Sequence, residues 1–115
     1  MKTRGLVYAL VLTLCVGAGW ANGQGTLYVS RDDFCGGHAP CYSTIQDGID
    51  SVSLPSIIRI TQETYHEDII LDFAEGISLQ GGWDANFSSN SSYTTIQGSI
   101  TITNGTMILE NIILR

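Results

Sequence analysis

The sequence predicts a mainly β protein of short stacked strands, with one helix near its start. Three observations predict it. From Pro55 onward the apolar residues come in pairs two positions apart, which places both side chains of each pair on one face of a strand. Gly and Asn fall between the pairs, where a chain turns sharply. The pair Ile77/Leu79 is echoed by Ile100/Ile102, and a repeat interval in the twenties marks chains that coil and stack turn on turn.

The opening segment, as far as Ala21, predicts export. Lys2 and Arg4 precede an uncharged run from Leu6 to Val16, and small residues follow at Gly17, Ala18, Gly19 and Ala21. Export machinery and signal peptidase read that order, with cleavage expected after Ala21. The run is shorter than the roughly 20 residues a bilayer span needs, so no membrane span is expected once the leader is cut. Cys15 is a poor lipid acceptor because Leu14, a large residue, precedes it. Signal peptide 1–21 and a single domain 22–115 follow. The latter divides into a strand, disulfide loop and capping helix (22–54) and the stacked strands (55–115).

Residues 22–115 carry three basic side chains (Arg31, Arg59, Arg115) against eleven acidic ones, a formal charge of −8. Such a surface repels nucleic acid and anionic lipid, which excludes both as partners. Charged residues are few and Ile is abundant, so the chain can bury apolar surface. A domain this short has a thin stability margin and gains from a covalent staple.

Thr26 to Ser30 is the first strand. Cys35 and Cys41 then enclose Gly36-Gly37-His38-Ala39-Pro40, and an even cysteine count in an oxidising compartment predicts one disulfide. The competing reading, a metal held by Cys35, His38 and Cys41, lacks a fourth ligand and a common zinc spacing. Ser43 is positioned to cap a helix over Ser43–Ser53, with Ile45, Ile49 and Val52 on one face and Gln46, Asp47 and Asp50 on the other. Pro55 ends it. Six apolar pairs follow, from Ile58/Ile60 to Ile112/Leu114. A β-sandwich is the runner-up fold, and a hairpin at Asn104-Gly105 would favour it.

Several strings carry a family resemblance. Leu27-Tyr28-Val29-Ser30, then Cys-Gly-Gly-His-Ala-Pro-Cys-Tyr-Ser-Thr-Ile-Gln (Cys35 to Gln46) and Ile49-Asp50, resemble the start of secreted right-handed parallel β-helix proteins of the pectin-lyase-like superfamily. Glu63-Thr64-Tyr65-His66-Glu67-Asp68-Ile69 looks like that group's Gly-Thr-Tyr-x-Glu stretch, with Glu63 where Gly is usual. Leu79 to Asp84 and Thr95-Ile96-Gln97-Gly98 are further matches. The resemblance covers essentially all of residues 22–115 and implies a short right-handed parallel β-helix of about two rungs with an N-terminal capping helix. Active members carry calcium-binding aspartates, or clusters of Asp, His and Arg, on later rungs. This chain has no such cluster after Asp84, and Arg115 is its only basic residue after Arg59, so no catalytic residue is carried over.

Adjacent Asp32 and Asp33 suit a calcium ion, the one cofactor considered, but paired acids in a loop are more often simply solvated. Tyr65-His66-Glu67-Asp68 invites acid–base chemistry; the favoured reading packs Tyr65 inward and leaves its polar neighbours to water. Trp83, Asp84, Asn86 and Asn90, together with Ser88 to Ser92, form the expected ligand surface. Trp83 is expected chiefly to cover the flank of the coil beside Gly81-Gly82. Asn86, Asn90 and Asn104 each start a glycosylation sequon. Ile112-Ile113-Leu114 predicts an open apolar end that docks on a protein or a second copy, or is continued in a longer chain. The expected function is a secreted, periplasmic or cell-surface module, non-catalytic, with a structural, surface-interaction or polysaccharide-binding role. The alternative is the N-terminal portion of a polysaccharide lyase or glycoside hydrolase.

Overall fold

The computed structural model describes residues 25–115; the leader and its cleavage point lie outside the described residues. β1 (Gly25–Val29) leads through a tight turn at Cys35–Gly37 to β2 (Cys41–Tyr42) and then helix α1 (Ile45–Ser51). β3 (Ser56–Thr61), β4 (Thr64–His66) and the long β5 (Ile69–Trp83) follow, then β6 (Thr94–Gln97), β7 (Ile100–Glu110) and β8 (Ile112–Leu114). They form two sheets, β2-β1-β3-β5-β7 and β4-β6-β8. Each pairing is parallel. The protein is thus mainly β with parallel sheets.

Parallel pairing sets like above like. Leu27 stands opposite Ile58, Ile58 opposite Leu79 and Leu79 opposite Leu109, one apolar column through four strands. Tyr65, Ile96 and Leu114 make another through the smaller sheet. Ile58, Ile60, Ile69, Leu71, Leu79 and Ile96 are fully buried. At roughly 1.5–3 kcal/mol for each such side chain, these columns are the main stabilising element. The paired pattern read from the sequence therefore marks the inward face correctly.

The stacking does not follow the expected repeat. Ile100 and Ile102 lie on Ile69 and Leu71, not on Ile77 and Leu79, which instead meet Met107 and Leu109. The step along the chain is also uneven: it is shorter from Ile58 to Leu79 than from Leu27 to Ile58 or from Leu79 to Leu109. Apolar pairs look alike in sequence, so the connections decide which pair lies on which, and they differ in length.

The antiparallel ladders required by a β-sandwich, or by a hairpin at Asn104-Gly105, are not found among the described residues. That dipeptide lies inside β7, where Asn104 pairs with Asp72 and Thr106 with Gly76 across an irregularity in the ladder. Gly105 sits at φ +91°, with the Phe73 carbonyl oxygen where a Cβ would be. The backbone bends there without reversing.

Helix α1 is shorter than expected and is capped by Thr44 rather than Ser43. Thr44 has extended backbone, and its Oγ1 accepts from the Asp47 amide at 3.1 Å. Ser43 lies one residue too early for that bond. The helix buries Ile45 and Ile49 against the core, with Val52 packed alongside. Gly48 faces β1: a Cβ there would stand 3.2 Å from Leu27 and 3.3 Å from Val29. The helix therefore lies directly on the first strand.

Candidate ligand-binding surface

The expected surface residues gather where β5 ends and the loop 84–93 returns to β6. Gly82, at φ +80°, lets the loop close, because the Ser92 carbonyl oxygen occupies the place a Cβ would need. Its amide donates to Thr94 Oγ1 at 2.9 Å, and that buried hydroxyl donates to the Thr61 carbonyl at 2.7 Å. The two glycines thus admit backbone close by, Ser92 at Gly82 and Asn111 at Gly81.

Asp84 holds the loop from within. Its Oδ1 accepts from the amides of Ser88 (2.9 Å) and Asn86 (3.2 Å), and its Oδ2 from the Ser88 hydroxyl at 2.6 Å. The Ser88 hydroxyl and then its amide favour the ionised carboxylate, which keeps Asp84 below the usual carboxylate range. The Asn86 carbonyl bonds His38 Nε2 at 3.1 Å, tying this loop to the ring closed by the Cys35–Cys41 disulfide. That disulfide removes Cys35 and Cys41 from any metal site, so the reading with His38 as third ligand is overturned. Asn90 contributes its carbonyl, which accepts from Asn111 Nδ2 at 2.9 Å.

Beside the loop stands an aromatic cluster that the sequence reading missed. The ring of Tyr28 stacks on His38, centroids 4.8 Å apart, and meets the edge of Phe87 at 5.1 Å. Phe87 lies 6.2 Å from Trp83, and the Arg59 guanidinium sits 4.8 Å from the Trp83 ring centroid. Tyr28 and Arg59 are register partners on neighbouring strands, and their outward faces bring the row together. Each is the middle residue of an apolar pair, Leu27/Val29 and Ile58/Ile60, and that shared position was the available signal. Trp83 therefore covers the flank, as expected, by packing under Arg59 and beside Phe87. Tyr93, at the far end of the loop, is 59 % exposed and presents a free ring. A groove of about 330 Å³ runs close by, lined by Ser30, Asp32, Thr61, Gln62, Glu63 and Ala85.

The other candidates separate. Asp32 Oδ1 accepts from the Ser30 hydroxyl at 2.7 Å and the Phe34 amide at 2.9 Å, which makes it a turn residue. The Ser30 hydroxyl, ahead of the Phe34 amide, holds its carboxyl below the ordinary range. Asp33 is exposed at φ +60°. No group of three or more His, Cys, Asp or Glu is placed to hold a metal among the described residues. Tyr65 is buried, as expected, and its hydroxyl lies 2.7 Å from Thr61 Oγ1, which in turn donates to Glu63. Burial pushes the Tyr65 phenol well above its usual range, against the opposing pull of the Thr61 hydrogen bond.

His66 faces water, but its acidic neighbours do not merely do so. Glu67 accepts from the Ile45 and Gln46 amides at 2.9 and 3.0 Å. Asp68 accepts from the amide and hydroxyl of Ser99, each at 3.1 Å. Both carboxylates are structural acceptors. No described helix is long and apolar enough to cross a membrane. A comparison with protein-family models finds no match, and neither does one with curated proteins or one with solved structures.

Proposed function

We propose that this chain is an exported, non-catalytic module, a short right-handed parallel β-helix of the pectin-lyase-like kind, that binds neutral polysaccharide. The observation that carries the reading is the exposed ring of Tyr93 on a loop fixed at Asp84 and Asn86 and backed by the packed aromatic row Tyr28, His38, Phe87 and Trp83, of which Phe87 is buried. Sugar rings stack their C–H faces on aromatic rings, and their hydroxyls hydrogen-bond to side-chain amides and hydroxyls nearby. Tyr93 offers a free ring, and Asn86 and the serines of the loop offer the polar groups. A surface held this firmly loses little freedom on binding. The charge of −8 disfavours acidic polysaccharides. Export draws on the leader pattern and on the disulfide, which persists in oxidising compartments. Parallel stacking of both sheets supports the β-helix reading.

Native electrophoresis through gels containing a neutral glucan or mannan, or pectate, tests the proposal. Retardation is expected in a neutral gel and not in pectate, and Tyr93→Ala and Asn86→Ala should each weaken it about tenfold, the effect of roughly 1.4 kcal/mol. Unaltered mobility of the folded protein in every gel rejects it. The competing reading, the first layers of a polysaccharide lyase or glycoside hydrolase, is supported by Ile102 and Leu109, which further layers would cover. It predicts release of reducing ends or unsaturated products from one of these polymers by the longer protein.

A further inference from the structure

The last strand of the larger sheet has an open edge and an open inward face. Among the described residues β7 pairs with β5 alone, so its outer row of N–H and C=O groups is free. Its inward residues stand on fully buried partners but are not themselves covered. Ile102 lies over Leu71 and is 47 % exposed; Leu109 lies over Leu79 and is 44 % exposed. Both partners are 0 % exposed.

The pattern of β7 reads nearly the same in both directions. Around the Asn104–Gly105 bond the order is Ile, Thr, Ile, Thr, Asn and then Gly, Thr, Met, Ile, Leu. The inward side chains are Ile100 and Ile102 on one side and Met107 and Leu109 on the other, since these oppose Ile69, Leu71, Ile77 and Leu79. An antiparallel pairing of two such strands about an axis at Asn104–Gly105 sets Ile100 opposite the partner's Leu109 and Ile102 opposite the partner's Met107. Inward residues then meet inward residues along the whole strand, a match that sliding the axis along β7 disturbs. Isologous contacts of this kind need such a self-matching surface.

Charge points the same way. Residues 99–115 hold one acid, Glu110, and one base, Arg115, whereas residues 25–98 hold ten acids and two bases. β7 itself therefore carries a single charged residue, while Asp68, Asp72 and Glu75 lie on or beside the strand it pairs with. A second copy pairing with this strand sets few charges directly against one another.

We infer that β7 is the interface of a two-fold homodimer, in which it pairs antiparallel with the partner's β7 across an axis at Asn104–Gly105. Each copy closes the open edge of the other, so the assembly stops at two. The inference is independent of polysaccharide binding, which uses the end of β5 and the loop after it.

Light scattering on the purified, disulfide-bonded protein across a concentration series should give twice the mass of one chain. Ile102→Lys and Met107→Glu should each halve that mass while the far-ultraviolet dichroism is retained. Mixing the two variants should restore the doubled mass, because the register sets each introduced Lys against an introduced Glu. A monomeric wild type, masses that grow beyond two, or folded variants that stay monomeric on mixing each overturn the inference. A readout that does not depend on charge at the face comes from Thr103→Cys and Thr106→Cys. Mixed under mild oxidation, these chains should crosslink to a covalent heterodimer, and failure to crosslink overturns the register.

Discussion

The side-chain amide of Gln46 pairs with the backbone of Ile70 as a neighbouring strand would. Its Nε2 donates to the Ile70 carbonyl at 3.0 Å, and its Oε1 accepts from the Ile70 amide at 2.8 Å. One helix residue thus occupies both free groups of one strand residue. Gln46→Glu loses the donor and puts a carboxylate beside the carbonyl; Gln46→Ala loses both bonds. The site is exposed, so a loss of about 1 kcal/mol is expected from Ala, and somewhat more from Glu. Urea unfolding measures it, and an unchanged midpoint for both variants would remove the pairing from the account of how α1 is held.

Tyr65 predicts an alkaline limit to stability. Its raised value means that the folded state favours the neutral phenol, so this contribution is complete below the ordinary 10.0 and is lost as pH rises above it. Tyr65→Phe should cost about 1 kcal/mol at neutral pH through the lost Thr61 hydrogen bond, yet flatten the alkaline limb. Thermal unfolding at pH 8 and above 10 compares the two. In a phenolate titration, one tyrosine of the folded protein should ionise only as the fold is lost.

The disulfide stabilises more than its own ring. By loop entropy, closing about seven residues is worth roughly 2 kcal/mol. Its loss also loosens His38, and with it the His38–Asn86 contact and the stack on Tyr28. Cys35→Ser with Cys41→Ser should therefore lower stability by roughly 2 kcal/mol or more and raise amide exchange in loop 84–93. Exchange confined to residues 31–42 would show that the two loops are not coupled.

Gly82→Ala should be among the most damaging single changes. The backbone is left-handed at φ +80°, and the new methyl would collide with the Ser92 carbonyl. A cost of about 2 kcal/mol or more is expected, with loop 84–93 displaced. Tolerance of this variant, read by melting temperature, would mean that the loop closes in some other way.

What the sequence disclosed and what it hid follow from range. Ile58 and Ile60 announce their face because alternation is local, and Cys35 and Cys41 announce each other because they are the only two cysteines in residues 22–115. Tyr65 inward and Trp83 on the flank also followed from neighbouring residues. Glu67 is different: its role under Ile45 and Gln46 depends on partners far back along the chain, and nothing around it distinguishes a solvated acid from a helix anchor. Arg59 likewise reads as a lone surface cation until the ladder sets it beside Tyr28 and over Trp83. The candidate surface's loop and Trp83 were legible, but the packing of Tyr28, His38 and Phe87 beside them was not, because register is a property of the stacked strands.

The uneven steps from Leu27 to Ile58, Ile58 to Leu79 and Leu79 to Leu109 have an evolutionary consequence. Length is absorbed at the corners. An insertion between Asp84 and Tyr93 only enlarges a loop whose ends are pinned at Gly82 and Thr94, and doubling a loop costs only about 0.6 kcal/mol in closure entropy. A single deletion within Ser56–Thr61 instead turns the side chains beyond it to the wrong face, expelling Ile58 or Ile60 from the interior. Descendants of this chain can therefore drift freely in length at their turns while keeping strict odd–even parity along every strand. Two of them could share all their columns and still align poorly from end to end.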